Sequence, residues 1–194
     1  MSDRIKLSTV QIPDLESVLA EKERLSKHTQ HRRLVVGILS PLIVLAAAVI
    51  LAVSVFFPVL QVTGVSMEPT LTEGSLVLGW KQDTYERGDI CFFYFEQKLL
   101  LKRVIGVPGD VIDIAEDGTV TVNGETLSEP YIKSLSFGDC DLSFPFQVPS
   151  DSYFVLGDNR VNSVDSRNSA IGCVRSSQME GKVIFKLWPF GPVS

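Results

Sequence analysis

The chain has 194 residues, 21% of them charged, a formal net charge of −5 and a slightly positive mean hydropathy of +0.20. That hydropathy beside that charge content describes one very apolar segment joined to a globular part of ordinary composition. An acidic chain lacks the basic footprint of nucleic-acid binding, which excludes that class of partner.

Residues 1–33 read as a short cytoplasmic arm. Within it, Asp14 to Lys27 (DLESVLAEKERLSK) is rich in helix formers. Residues 34–57, LVVGILSPLIVLAAAVILAVSVFF, contain no charge over 24 positions. As a helix rising about 1.5 Å per residue they reach roughly 36 Å, against a hydrocarbon core of roughly 30 Å. Pro58 marks the end of the helix. An arm of 33 residues and an apolar run this long exceed the proportions of a cleavable secretory signal, so an uncleaved signal-anchor is expected. Lys27, Arg32 and Arg33 immediately precede the span, which places the N-terminus in the cytoplasm by the positive-inside rule. Residues 58–194 then lie outside; they hold eleven Lys/Arg against eighteen Asp/Glu, a net of −7.

Beyond the span the signals are of β-structure. GSLVLGW, DICFFYF, LLLKRVIGV, DVIDIA, TVTVN, SYFVLGD and KVIFKLW are short runs of β-branched and aromatic residues, mostly bounded by turn formers. Ile112/Ile114 and Val120/Val122 alternate with polar neighbours around Asp117-Gly118, a hairpin signal, and Asn123-Gly124 marks a second turn. The outer part reads as one mostly-β domain. Of its three cysteines, Cys91 lies in an apolar run and reads as a core residue, while Cys140 and Cys173 are left open as a disulfide or two thiols.

Several chemistries are removed by composition. The two histidines, His28 and His31, both precede the span. On this topology the β domain has neither a Ser-His-Asp triad nor a histidine-ligated zinc site. GxSxG, SxxK, P-loop and GxGxxG patterns are absent. A hydrolase here needs a nucleophile with a base other than histidine, or the domain is not catalytic.

Three segments remain. Gly64-Val65-Ser66-Met67-Glu68-Pro69-Thr70-Leu71 puts a serine on a turn between glycine and proline. In Leu99-Leu100-Leu101-Lys102-Arg103-Val104, strand alternation sets Lys102 on one face with Leu100 and Val104. Such a lysine is either an edge-strand gatekeeper or a desolvated amine whose pKa is lowered. Gly157 to Arg167 (GDNRVNSVDSR) is either a plain polar loop or a shell that orients catalytic groups.

Taken together the three segments resemble the bacterial type I signal peptidases, of the short Gram-positive-like form. GxSMxPTL, KRVIGxPGD and GDNRxNSxDSR occur in the family's order. The anchor, Val122-Asn123-Gly124-Glu125 with Glu129-Pro130-Tyr131, and the tail Gly181 to Pro189 also match. The similarity runs from about residue 34 to 190 and leaves out the arm and the loop near 133–147.

The resemblance implies a signal-peptidase-type β catalytic core behind one transmembrane helix, with no cofactor and no metal. It implies Ser66 as nucleophile, Lys102 as general base, and Ser163 as the serine that hydrogen-bonds and orients the lysine amine. Arg103, Asp158, Asp165 and Arg167 match structural ion-pair positions. Val62, Met67, Leu71, Leu100 and Leu101 map to pockets for small side chains at −1 and −3 of exported preproteins. Trp188, Phe190 and the Phe92-Phe93-Tyr94-Phe95 run are candidates for the lipid interface, the last also for the core. Gly64 stands where some members carry a serine that helps the oxyanion hole. Replacing it with serine is expected to raise turnover unless the turn needs a positive φ. Two other readings stay open: a dedicated processing peptidase for pilus or conjugation proteins, and a non-catalytic membrane-anchored assembly factor of the same fold. Self-cleaving repressors with a related dyad are set aside, because they are cytosolic and carry a DNA-binding head.

Overall fold

A computed structural model describes residues 14–193. The chain divides into two compact units, one up to Ala52 and one from Val53 onward. Among the described residues the first is made by helix α1, Leu15–Phe56, up to its last four residues; the helix joins the helix-forming arm to the apolar segment without a break. Its stretch Val35–Phe56 has a mean hydropathy of 2.8 and is exposed throughout, and it is long and apolar enough to cross a bilayer. Pro41 lies inside it. The two histidines fall where side chains are outside the described residues.

The second unit is built from antiparallel strands. A seven-stranded sheet has the order β1 (Val59–Gln61), β2 (Leu76–Trp80), β11 (Met179–Trp188), β3 (Ile90–Phe95), β4 (Lys98–Gly106), β9 (Ser152–Leu156) and β10 (Val174–Arg175). A four-stranded sheet has the order β7 (Glu125–Thr126), β6 (Val120–Val122), β5 (Val111–Ile114) and β8 (Phe146–Gln147). All seven apolar runs read from the sequence form strands. The four strands not anticipated, β1, β7, β8 and β10, have two or three residues each, too few to show a period.

The β5–β6 hairpin pairs Ile112 with Val122 and Ile114 with Val120, so the alternation seen in the sequence is one buried face. Asn123 and Gly124 both have positive φ (54° and 84°) and close the two-residue turn from β6 to β7. That backbone matches the twist of the flanking strands, which is why Asn-Gly serves there.

Three apolar clusters fill the domain. Cys91, Phe93, Val104 and Val155 form one, with Leu100 packed at its edge. Ile105, Ile112, Val120, Phe154 and Leu156 join residues of the two sheets in a second. Val62, Met67, Leu71, Val77 and Phe92 form the third, under β1 and the start of β4. Phe92 and Phe93 are 2% and 1% exposed, so this part of the aromatic run belongs to the core and not to a lipid interface. Trp188 and Phe190 are 68% and 81% exposed. All three cysteines are free thiols, so the pairing of Cys140 with Cys173 that the sequence left open is not made.

Candidate active site

Ser66 lies on the turn between β1 and β2. Glu68 N–H donates to Val65 O at 3.1 Å and Leu71 N–H to Met67 O at 2.9 Å, which coils the segment after the serine. Gly64 opens the turn with φ +84°. That is the left-handed region, which costs an L residue about 1–2 kcal/mol. A Cβ there would meet no atom within 4 Å, so the requirement is the backbone angle and not space. The exception that the sequence reading allowed, a turn that needs a positive φ at this position, is therefore met. Gly64→Ser and Gly64→Ala should lose turnover alike in a peptide-cleavage assay, because both distort the peptide that carries Ser66.

Lys102 comes from the middle of β4, opposite Cys91 on β3. Cross-strand partners share a face, so its stem runs over the Cys91, Phe93 and Val104 cluster with Leu100 beside it. The residue is 3% exposed, and its Nζ donates to Ser66 Oγ at 2.8 Å. Burial pushes the amine below the ordinary lysine value, with the Asp165 carboxylate opposing. Removing a charge from water penalises the ammonium, so this environment favours the neutral base. The Cys91 thiol donates to Lys102 O at 3.3 Å, and burial raises its pKa to about 12, so it acts as a neutral packing group.

The loop after β9 holds the serine turn from the other side. Asn159 N–H donates to Ser66 O at 3.0 Å, and Asn159 Nδ2 to Val65 O at 3.1 Å. Asp158 accepts from Thr70 Oγ1 at 2.5 Å and from Arg103 Nε and Nη2 at 2.8 and 2.7 Å. One carboxylate thus ties the serine turn to β4, next to Lys102. The Arg103 guanidinium also stacks 3.9 Å above the Tyr131 ring. Arg167 pairs with Asp165 through Nε and Nη2 at 2.8 and 2.9 Å, and Asp165 accepts the Gly157 N–H at 3.0 Å. All four ion-pair residues named from the sequence are buried. A third buried pair, Arg160 with Glu129, was not anticipated; its partners are 31 residues apart, and no local pattern joins them. Gly157 was not singled out either. A Cβ on it would collide with Ser163 and lie 2.6 Å from Ser66 O, so glycine lets the loop close on the serine turn.

Ser163 departs from expectation. Its hydroxyl is buried and has no hydrogen-bond partner among the described residues. The bond expected to Lys102 is not formed; the amine is engaged by Ser66 instead.

Beside Ser66 and Lys102 is a cleft of 480 Å³, walled by Leu60, Val62, Met67, Leu99, Leu100 and Leu101, and lined also by the polar residues Gln61, Thr63 and Lys98. Four of the five predicted pocket residues are on this wall. Leu71 is not; it is 0% exposed and packs behind Val62 and Met67. Leu60 and Leu99 were missed: Leu99 opens an apolar run that the sequence displays, whereas Leu60 lies in β1, which is too short to show a period. Among the described residues no group of three His, Cys, Asp or Glu is close enough to hold a metal.

A serine hydroxyl against a desolvated amine, at an apolar cleft in a β domain, is the arrangement of a serine hydrolase that works without histidine. The family described as signal peptidase, peptidase S26, matches residues 35–188. A signal peptidase I of Bacillus amyloliquefaciens is 34% identical over 90% of this chain and 97% of its own length. A signal peptidase IB of Staphylococcus aureus is 38% identical over 66% of this chain and 76% of its own. A solved signal peptidase I from Enterococcus faecalis shares 32% identity over 51% of this chain and 96% of its own, with a TM-score of 0.43. The chain belongs to the signal peptidase family, peptidase S26, as a signal peptidase of type I, which is a serine endopeptidase.

Proposed function

We propose that the protein is a membrane-bound peptidase that removes signal peptides from exported preproteins, cutting after small residues at −1 and −3. The observation that carries the catalytic reading is the 2.8 Å contact between Lys102 Nζ and Ser66 Oγ, made by an amine 3% exposed. With the amine neutral the contact reverses, and the hydroxyl donates to the nitrogen lone pair. Ser66 Oγ then attacks the carbonyl carbon of the residue at −1 while Lys102 takes its proton. The developing oxyanion needs a donor; the Ser66 N–H has no protein acceptor among the described residues and is available. Collapse of the intermediate breaks the peptide C–N bond, and the proton on Lys102 goes to the leaving amine. Water, deprotonated by the same amine, hydrolyses the ester and frees Ser66.

Ser163 is read as the group that orients the Lys102 amine as the reaction proceeds; its buried, unpartnered hydroxyl supports this. The arm is assigned to the cytoplasm, α1 to the bilayer and the β domain to the outer face, where preproteins emerge. The charge asymmetry across the span supports this orientation. Exposed Trp188 and Phe190 are assigned to the lipid interface.

An apolar cleft selects by shape. A preprotein with alanine at −1 and −3 is expected to be cut by the purified full-length protein, and one with phenylalanine at −1 to resist. The measurement is the rate of release of the mature chain, beside Ser66→Ala as a blank. Equal rates for the two substrates would contradict the assignment of this cleft.

A further inference from the structure

A second cleft lies next to the serine turn and is not used by the reading above. It measures about 250 Å³ and is lined by Glu68, Lys133, Ser134, Asn159, Val161 and Asn162, with Asp158 and Arg160. It shares no lining residue with the apolar cleft. It begins one hydrogen bond from the nucleophile, because Asn159 donates to Ser66 O, and its wall includes Glu68, two residues beyond Ser66.

The charges in it are of two kinds. Asp158 and Arg160 are 1% and 2% exposed, and their charges are taken up by Arg103 and Glu129. Glu68 is half-buried, Lys133 is exposed, and neither head group has a hydrogen bond or ion pair among the described residues. These two charges are free to meet something that enters the cleft.

A polypeptide cut at Ser66 must continue past the serine on both sides. The apolar cleft takes the acyl half, so the other half leaves over a different surface. We propose that this second cleft receives the first residues of the mature protein, and that Glu68 determines which charge is accepted there; this rests on the proposed function. The carboxylate favours a cationic side chain and repels an anionic one within the first three mature residues. Lys133, which follows the Glu129–Tyr131 segment on the chain, marks where the same cleft changes sign. The walls between them are amide and hydroxyl groups, suited to extended backbone. Half-exposed charges act through screened water, so the preference is modest, about two- to fivefold, and falls as salt rises.

The test uses the full-length protein in detergent and preprotein peptides identical up to −1, carrying lysine or glutamate at +1, +2 or +3. The ratio of kcat/KM for lysine over glutamate is compared in the wild type, Glu68→Lys and Glu68→Gln. At one or more positions the wild-type ratio should exceed one, fall toward one in Glu68→Gln and drop below one in Glu68→Lys. A merely structural role would lower both rates and leave their ratio alone. Ratios that stay the same in both variants at all three positions, while cleavage continues, overturn the inference and leave the catalytic reading standing. Undiminished cleavage in Ser66→Ala instead removes the proposed function, and the inference with it.

Discussion

Lys102→Ala should abolish cleavage of a signal-peptide substrate while the domain still folds, and Lys102→Arg should fail as completely. Alanine has no base. Arginine has no neutral form at any accessible pH, and a planar guanidinium does not replace a single amine lone pair at 2.8 Å from Ser66 Oγ. General-base assistance accounts for about 10²–10⁴ in rate, and loss of nucleophile activation adds to that. In the wild type, kcat/KM should rise with pH through a limb whose midpoint lies below the ordinary lysine value of 10.5, the direction in which burial shifts this group. The limb should be missing from any residual activity of Lys102→Ala. Stability carries the same information with its own sign. Between the lowered folded-state pKa and the unfolded one, the unfolded chain binds the extra proton, so stability rises with pH over that window. Below the folded pKa the buried ammonium is a standing cost. Lys102→Met, which keeps the stem and removes the charge, should therefore unfold at a higher temperature than the wild type near neutral pH and lose this pH dependence. A less stable Lys102→Met would mean that the amine is held for structure and not for chemistry.

Asp158→Ala is expected to destabilise the β domain by about 3–5 kcal/mol, the range for removing one partner of a buried ion pair. The reason is the guanidinium left behind. Arg103 is 4% exposed and gives two of its hydrogen bonds to Asp158. Arg103→Met alone would also strand a charge, that of Asp158. The informative variant is the double one, Arg103→Met with Asp158→Leu, which should recover much of the lost stability because neither charge remains buried. Thermal unfolding of the three variants measures this. Activity should not recover with stability, because Thr70 Oγ1 also depends on Asp158 at 2.5 Å, and with it the anchoring of the serine turn. A double variant that regains full turnover would show that the pair only holds the fold.

Much of this molecule is written in short-range patterns. The apolar helix is legible because 24 consecutive positions carry no charge, which is long and apolar enough to cross a bilayer. The β5–β6 hairpin is legible because alternation and a turn dipeptide are local, and the strand pairing follows from them. Lys102 stands out because an amine between Leu100 and Val104 on one strand face is costly unless it has a use. These signals depend on neighbours along the chain, so the sequence by itself determined the apolar helix, the main strands and the residue types available for chemistry. Ser66 and Lys102 themselves were picked out by the resemblance that their motifs carry, since a lone turn serine has no signature of its own.

Tertiary structure decided the rest, because it depends on what distant segments bring together. The burial of Lys102 comes from residues of β3 and β9 as well as its own strand. Leu71, apolar like its neighbours, ended behind the cleft and not in it, since chain pattern says that a side chain is buried but not which surface it faces. The Arg160–Glu129 pair joins residues 31 apart, and the closeness of Gly157 to Ser66 O joins segments 91 positions apart. Gly64 shows the division at a single residue: the sequence names a glycine, and only the folded turn, with φ at +84°, says that it is there for its backbone and not for a missing side chain.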